Sequence, residues 1–499
     1  MILKTTIQRD DLFPCALCEN APCTKACGTM DCAALIRSAW FDNEQGAARA
    51  LPKHLHCEKC SAKCEKACVF PGHVRISRIM RQLEHIRKEL DLKEKPDGKN
   101  LRTRFAGFHL QNPYVLDAPD AANTLEKCLK AFRAGVGGLI LPAATQAQIN
   151  SAGFISPRFG SVKMCGTVIG LVDIGSSIGA DGDVSPEAGE DSLPGCLGFI
   201  PELKRQFPDR MVIATYRDGQ HTEPGVYSAL AEKAGADALL IDLAADQQTP
   251  EQQTRHIRTC LETVKANTKL PLILRFQMAD VAAAEVLAIA EEYGISAVSP
   301  QLGSKGIFSV NRHHYVPEPT VRGKSSIGRS SGMNLKSSAL AGQVFLTKHS
   351  QPGKLQFLTG TGIESWSDAL DFILLGAAAV RISDVVMCYG LRVMDDLTDG
   401  LSSYLAEKNI ADIAELTGTA VPDIKPAEEL DRGTVMYPNI SRTKCISCGR
   451  CTLACAECAA GAMTEDFDHT PMLIANRCTG CHLCIQVCPT GAITPGRRH

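Results

Sequence analysis

A chain of 499 residues is long enough for about three domains of ordinary size and for a large core. With 44% hydrophobic and 22% charged residues and a net charge of -2, it has the balance of a soluble globular protein and lacks the basic excess that draws a chain to nucleic acid or an anionic membrane. The start, MILKTTIQRD, has no apolar h-region, and the longest apolar runs, such as GGLILPAA and FILLGAAAV, fall far short of a membrane span, so a cytoplasmic protein is expected.

Of the 23 cysteines, eighteen crowd into residues 15–68 and 445–488. In a reducing compartment such crowding points to metal ligands before disulfides. The five scattered ones, Cys128, Cys165, Cys196, Cys260 and Cys388, are expected to be small core side chains.

The first run, CALCENAPCTKAC, gives Cys15, Cys18, Cys23 and Cys27 at spacings of two, four and three. About thirty residues of helical pattern separate it from CEKCSAKCEKAC, which carries Cys57, Cys60, Cys64 and Cys68, and Cys32 lies between. Neither run alone has ferredoxin spacing, and a pair of zinc sites stands as the alternative to iron–sulfur clusters. A charged helical pattern, FPGHVRISRIMRQLEHIRKEL, then runs into the breaker-rich KEKPDGKN and reads as a linker helix closing a first module, residues 1–100.

From 101 to 410, strand-length apolar runs alternate with helical stretches: YVLDAP, GLILPA, MVIATY, ALLIDLA, PLILRFQ, SAVSP, LQFLTG and AVRIS. Eight β/α units predict an α/β fold of TIM-barrel type, with a doubly wound sheet as the other possibility. Insertions at Met164–Leu197 and Gly303–Ser331 interrupt the alternation, and long loops at the catalytic face of a barrel usually serve function. A Pro-containing connector, residues 411–440, leads to a last module, 441–499.

That module carries Cys445, Cys448, Cys451 and Cys455, then Cys478, Cys481, Cys484 and Cys488 followed by Pro489, each set spaced two, two and three. Doubled in this way, the pattern is that of a two-cluster [4Fe-4S] ferredoxin, in which three thiolates hold one cube and the fourth reaches the other. Ligation is therefore expected to cross: Cys445, Cys448, Cys451 and Cys488 on one cluster, Cys478, Cys481, Cys484 and Cys455 on the second. The first set lacks the usual proline and adds Cys458, neither of which removes a ligand. No G-x-G-x-x-G opens a βαβ unit, so no Rossmann-type site for NAD or FAD is expected, and electrons should pass to or from a redox partner such as a flavoprotein.

The N-terminal runs, with MDCAALIRSAWFDNEQGAARAL between them, resemble the helical iron–sulfur domain of dihydropyrimidine dehydrogenase and of the glutamate synthase small subunit. That resemblance implies two further [4Fe-4S] clusters, four in all: Cys15, Cys18 and Cys23 with Cys68 on one, and Cys27 with Cys57, Cys60 and Cys64 on the other, Cys32 being a substitute ligand. GKSSIGRSSG, TGTGIESWSDALDFILLGAAAVRIS, GLSSYLAE and PAEELDRGTVMYP are similar to the barrel-plus-ferredoxin subunit of bacterial NAD-dependent dihydropyrimidine dehydrogenase. This implies a barrel of dihydroorotate-dehydrogenase type acting on a pyrimidine-like heterocycle, with FMN at its mouth and the flavin phosphate held near Gly332, Gly360, Gly362 and Ser383. The chain departs from that pattern at the mouth. Asp384 stands where the family has a small hydroxyl residue; Asp242 replaces an Asn and Ala245 the proton-donating Cys; Arg275 and Pro142 replace lysines. Asp242 and Asp246 are candidates for an acid pair and Arg275 for facing an anion, against the plainer expectation of a decayed site in which they are solvated strand-end residues in a non-catalytic electron-relay subunit. His313 and His314 are further candidates in a loop.

Overall fold

In the computed structural model, residues 7, 9–57, 60–72, 74–92, 101–145, 147, 157–164, 167–173, 193–218, 222–243, 250–278, 282–302 and 304–498 are described. Eight parallel strands close a barrel: β1 (Tyr114–Leu116), β2 (Gly138–Ile140), β3 (Met211–Arg217), β4 (Ala238–Asp242), β5 (Leu272–Arg275), β6 (Ala297–Val298), β7 (Gln356–Thr359) and β8 (Ala379–Ile382). Each pairs with its neighbours in sequence, and β8 closes on β1. This is the (β/α)8 topology, and all eight strands fall within the apolar runs of the sequence.

The period of two along a strand sorts these residues into two sets. Val115, Ile213, Leu240, Ile273, Ala297, Leu358 and Ala379 fill the barrel interior, floored by the hairpin of Phe105 and Leu110. Leu116, Ala214, Ile241, Leu274 and Val380 face outward into the helical shell. The same alternation, carried two residues further, or four for Arg217, points Asp117, Arg217, Asp242, Arg275 and Arg381 inward at the C-terminal end of the barrel. An apolar interior is thus capped by a charged layer.

The two insertions hold structure that their Gly- and Ser-rich sequences do not announce. Phe159–Met164, Thr167–Asp173, Gly328–Ser331 and Ser304–Gly306 form a four-stranded antiparallel sheet.

The N-terminal cysteines lie among six short helices. The last of these, Ile76–Glu89, is no free linker: Ile76, Ile79, Met80, Leu83 and Ile86 are all buried, as its strongly one-sided apolar pattern requires. Helix Cys32–Trp40, capped by Asp31 through the Ala34 N–H, packs toward helix Val393–Glu407 of the barrel shell. Ser38 donates to Asp396 at 2.5 Å, Asn43 to Asp399 at 2.8 Å, and Arg49 pairs with Glu407 at 2.9 Å. Residues Met1–Val421 accordingly make one compact unit and Pro422–His499 a second. In the second unit two hairpin-like pairs, Met436–Ile440 with Ile493–Arg498 and Met463–Glu465 with Pro471–Leu473, frame helices Arg450–Cys458 and Leu483–Gln486. Among the described residues, no helix is long and apolar enough to cross a membrane.

Candidate functional sites: thiol quartets and barrel mouth

Local backbone geometry is shared by all four cysteine runs. A left-handed residue, Ala21, Ala62, Gly449 or His482, immediately precedes the short helix that carries the next cysteines. For residues other than glycine this conformation costs on the order of 1 kcal/mol, a cost that binding at the thiols can offset.

In the second unit, Cys455 from helix Arg450–Cys458 and Cys478, Cys481 and Cys484 from the other run line one open cavity, with Pro438 and Leu473 closing its apolar side. Burial, and then the neighbouring thiols of Cys481, Cys451, Cys455 and Cys478, pushes the Cys484 thiol up to about 11, so ionising it calls for a cation at this point. Backbone N–H groups already aim at these sulfurs: Ser447 at Cys445 (3.4 Å), Gly480 at Cys478 (3.4 Å) and Ala462 at Cys455 (3.2 Å). N–H···S contacts of this kind stabilise thiolate ligands. Cys488 lies half-buried, and Cys458 is exposed at the helix end.

In the N-terminal module, Cys15 is buried with Cys23, Cys18 and Cys68 as its charge-bearing neighbours; burial first and those thiols next push it up to about 12. Cys57 is raised to about 11, by burial and then by Cys64, Cys27 and Cys60. Thiols of the two runs thus lie near one another: Cys68 of the second run near Cys15, and Cys27 of the first near Cys57. Cys32, fully buried, sits against Cys27 and within reach of Cys64 and Cys23. Among the described residues no three Cys, His, Asp or Glu side chains close around a single ion.

Of the scattered cysteines, Cys128, Cys196 and Cys260 are buried and Cys388 is partly so; Cys165 lies outside the described residues.

The barrel mouth is a network of ion pairs. Arg275 Nη2 lies 2.8 Å from Asp117 Oδ2, and Arg381 Nε 3.5 Å from the same oxygen. Arg217 Nε lies 3.4 Å from Asp242 Oδ2. Asp242 and Arg275 are each only 5% exposed, which corrects the expectation that they are solvated strand-end residues. Asp242 is committed to Arg217; its expected acid partner, Asp246, lies outside the described residues, as does Ala245. Arg381 passes under β6 and β7, with Ser299, Pro300 and Gly360 as long-range acceptors, and burial pushes its guanidinium down to about 10. Arg329, on the antiparallel sheet, donates to Gln301 at the end of β6. Sequence reasoning missed Asp117, Arg329 and Arg381. A charged residue inside the otherwise apolar run AVRIS was the available signal. His313 and His314 sit exposed at the tip of the hairpin Ser309–Asn311/Val316–Glu318.

The residues singled out for a flavin phosphate serve other ends. Gly360 and Gly362 have φ of +156° and +72°; a Cβ on Gly360 would lie 2.3 Å from the Arg381 carbonyl oxygen, and one on Gly362 2.6 Å from that of Gly332. Both glycines are therefore required by the approach of chain to chain. The backbone carbonyl of Ser383, just after β8, accepts the Val386 and Met387 N–H groups at 3.0 Å each. The Asp384 carboxylate accepts from the Ser331 hydroxyl at 2.8 Å and from the Gly332 N–H. A phosphate dianion placed here would meet the Asp384 carboxylate, which already holds the Ser331 hydroxyl and the Gly332 N–H, so Asp384 does not fit a flavin phosphate.

A closed parallel barrel with paired cysteine runs defines an iron–sulfur oxidoreductase of the dihydroorotate-dehydrogenase-like class. Residues 438–494 match the family described as 4Fe-4S dicluster domain. The NAD-dependent dihydropyrimidine dehydrogenase subunit PreA of Escherichia coli (strain K12) is 30% identical over 407 residues, 80% of this chain and 96% of the relative, and the chain belongs to that family. The catalytic subunits of dihydroorotate dehydrogenase B (NAD(+)) from Pyrococcus abyssi and Pyrococcus furiosus are each 24% identical, over 64% of this chain and 99% of theirs.

Proposed function

We propose that this chain is the electron-carrying iron–sulfur subunit of a heteromeric oxidoreductase, holding four [4Fe-4S] clusters and exchanging electrons with a separate flavoprotein partner. Such clusters, when bound, supply one-electron transfer. The chain's own part is to present sixteen thiols in four quartets: Cys445, Cys448, Cys451 and Cys488; Cys478, Cys481, Cys484 and Cys455; Cys15, Cys18, Cys23 and Cys68; and Cys27, Cys57, Cys60 and Cys64. The observation that carries the reading is the cavity in which Cys455 joins the three thiols of the other run.

The N-terminal quartets also have a firm seat. Arg392 donates to the Ala16 carbonyl at 2.8 Å and to that of Cys18 at 3.3 Å, tying the first cysteine run to the barrel between helices Asp384–Tyr389 and Val393–Glu407. The barrel is then a support for this module.

The other reading, reduction of a pyrimidine-like heterocycle at a barrel-bound FMN, is disfavoured by the Asp384 carboxylate in the phosphate seat and by Ala245 where a proton-donating Cys would be required. Anaerobic purification with iron, sulfide, zinc and flavin analysis tests the proposal. About sixteen irons per chain, four cubes of four, are expected. Eight or fewer, or zinc at the N-terminal cysteines, would overturn the four-cluster assignment.

A further inference from the structure

We infer that the barrel mouth is a binding site for a small organic dianion, a phosphate monoester or a compact dicarboxylate, held by Arg275, Arg329 and Arg381. This goes beyond the electron-carrying role and does not depend on it.

Charge carries the first part of the argument. Seven ionisable side chains meet in the mouth: Arg217, Arg275, Arg329 and Arg381 against Asp117, Asp242 and, beside Arg381, Asp384. Among the described residues, four guanidinium groups against three carboxylates leave an excess of one positive charge. Asp117 serves both Arg275 and Arg381, and Arg329 donates to the neutral Gln301. Removing cations from water is costly unless each is paired and hydrogen-bonded, and stability alone gives no reason to crowd four of them here.

Satisfaction carries the second part. Arg275 has a side chain only 6% exposed, yet its Nε is buried with no hydrogen-bond partner. Buried guanidinium donors normally find acceptors. A planar fork with an unused N–H beside two further guanidiniums matches the oxygens of a carboxylate or phosphate group.

Access is the third part. Arg329 is exposed to solvent. The C-terminal end of the strands is where barrels bind ligands.

The test uses the full chain, purified anaerobically with its clusters, and calorimetric titration at low ionic strength with inorganic phosphate in one arm and succinate in the other. Saturable binding of at least one probe is expected, weakened about tenfold or more in Arg275→Gln and in Arg329→Gln, as loss of a charge-assisted hydrogen bond implies. Asp242→Asn removes a competing carboxylate and should tighten binding. Because Arg329 is solvent-accessible, its variant should fold with unchanged iron content and visible spectrum even where Arg275→Gln does not. The arm that saturates identifies the ligand's oxyanion. No saturable binding of either probe to the wild-type chain, or equal affinity in Arg329→Gln and the wild type, would overturn the site.

Discussion

The Ser331 hydroxyl donates to the Asp384 carboxylate at 2.8 Å, joining the end of an inserted strand to the first residue after Ser383 at the exit of β8. This pair occupies the seat that the family resemblance assigns to a flavin phosphate. Asp384→Ser frees the Ser331 hydroxyl and the Gly332 N–H and removes the negative charge. Added FMN should then be retained by the variant and not by the wild type, in equilibrium dialysis followed by flavin fluorescence. Equal retention by both would show that Asp384 does not guard the seat.

Thiol placement gives a sharper result than counting metals. Cys68→Ser should degrade the cluster of Cys15, Cys18 and Cys23, and Cys455→Ser that of Cys478, Cys481 and Cys484, each removing about one quarter of the iron and one component of the reduced EPR spectrum. Cys458→Ser should leave both iron and spectrum intact, since Cys458 is exposed at the end of its helix. If each N-terminal run keeps its metal when the other is disrupted, shared ligation is wrong.

Asp117 holds two guanidiniums at once, and Asp117→Asn would take from Arg275 and Arg381 the carboxylate they share. A loss of about 3–5 kcal/mol is the usual cost of breaking a buried pair in this way, to be read as a lowered unfolding midpoint. An unchanged midpoint would mean that water already shields these charges.

Asp396, 5% exposed, ties the N-terminal module to the barrel through Ser38 and Arg37. Asp396→Ala should destabilise the chain by about 1–3 kcal/mol, the cost of leaving buried donors unpaired. Protease sensitivity of the N-terminal helices should rise with it.

How far the sequence revealed these features depends on the range of the interactions involved. Barrel strands were legible because burial on both faces makes each a short continuous apolar run, and the ferredoxin quartets because their ligands come in fixed local spacings. The antiparallel sheet of the insertions was not, since two of its strands, Ser304–Gly306 and Gly328–Ser331, are short and polar and the sheet joins residues more than a hundred apart, as Asp173 with Arg329. Arg275 was singled out from its place at a strand end, but its partner Asp117 lies 158 residues away, a distance no local pattern spans. Arg381 and Arg275 each interrupt an apolar strand, and the inward period of two would have placed both in the mouth had it been followed one step further.

Reductive titration of the anaerobic chain, counting electrons taken up, tests the electron-carrying role most directly. Four one-electron clusters and no flavin should accept about four electrons per chain, with bleaching confined to the broad iron–sulfur absorption. About six electrons, with the additional bleaching of a flavin band, would contradict it.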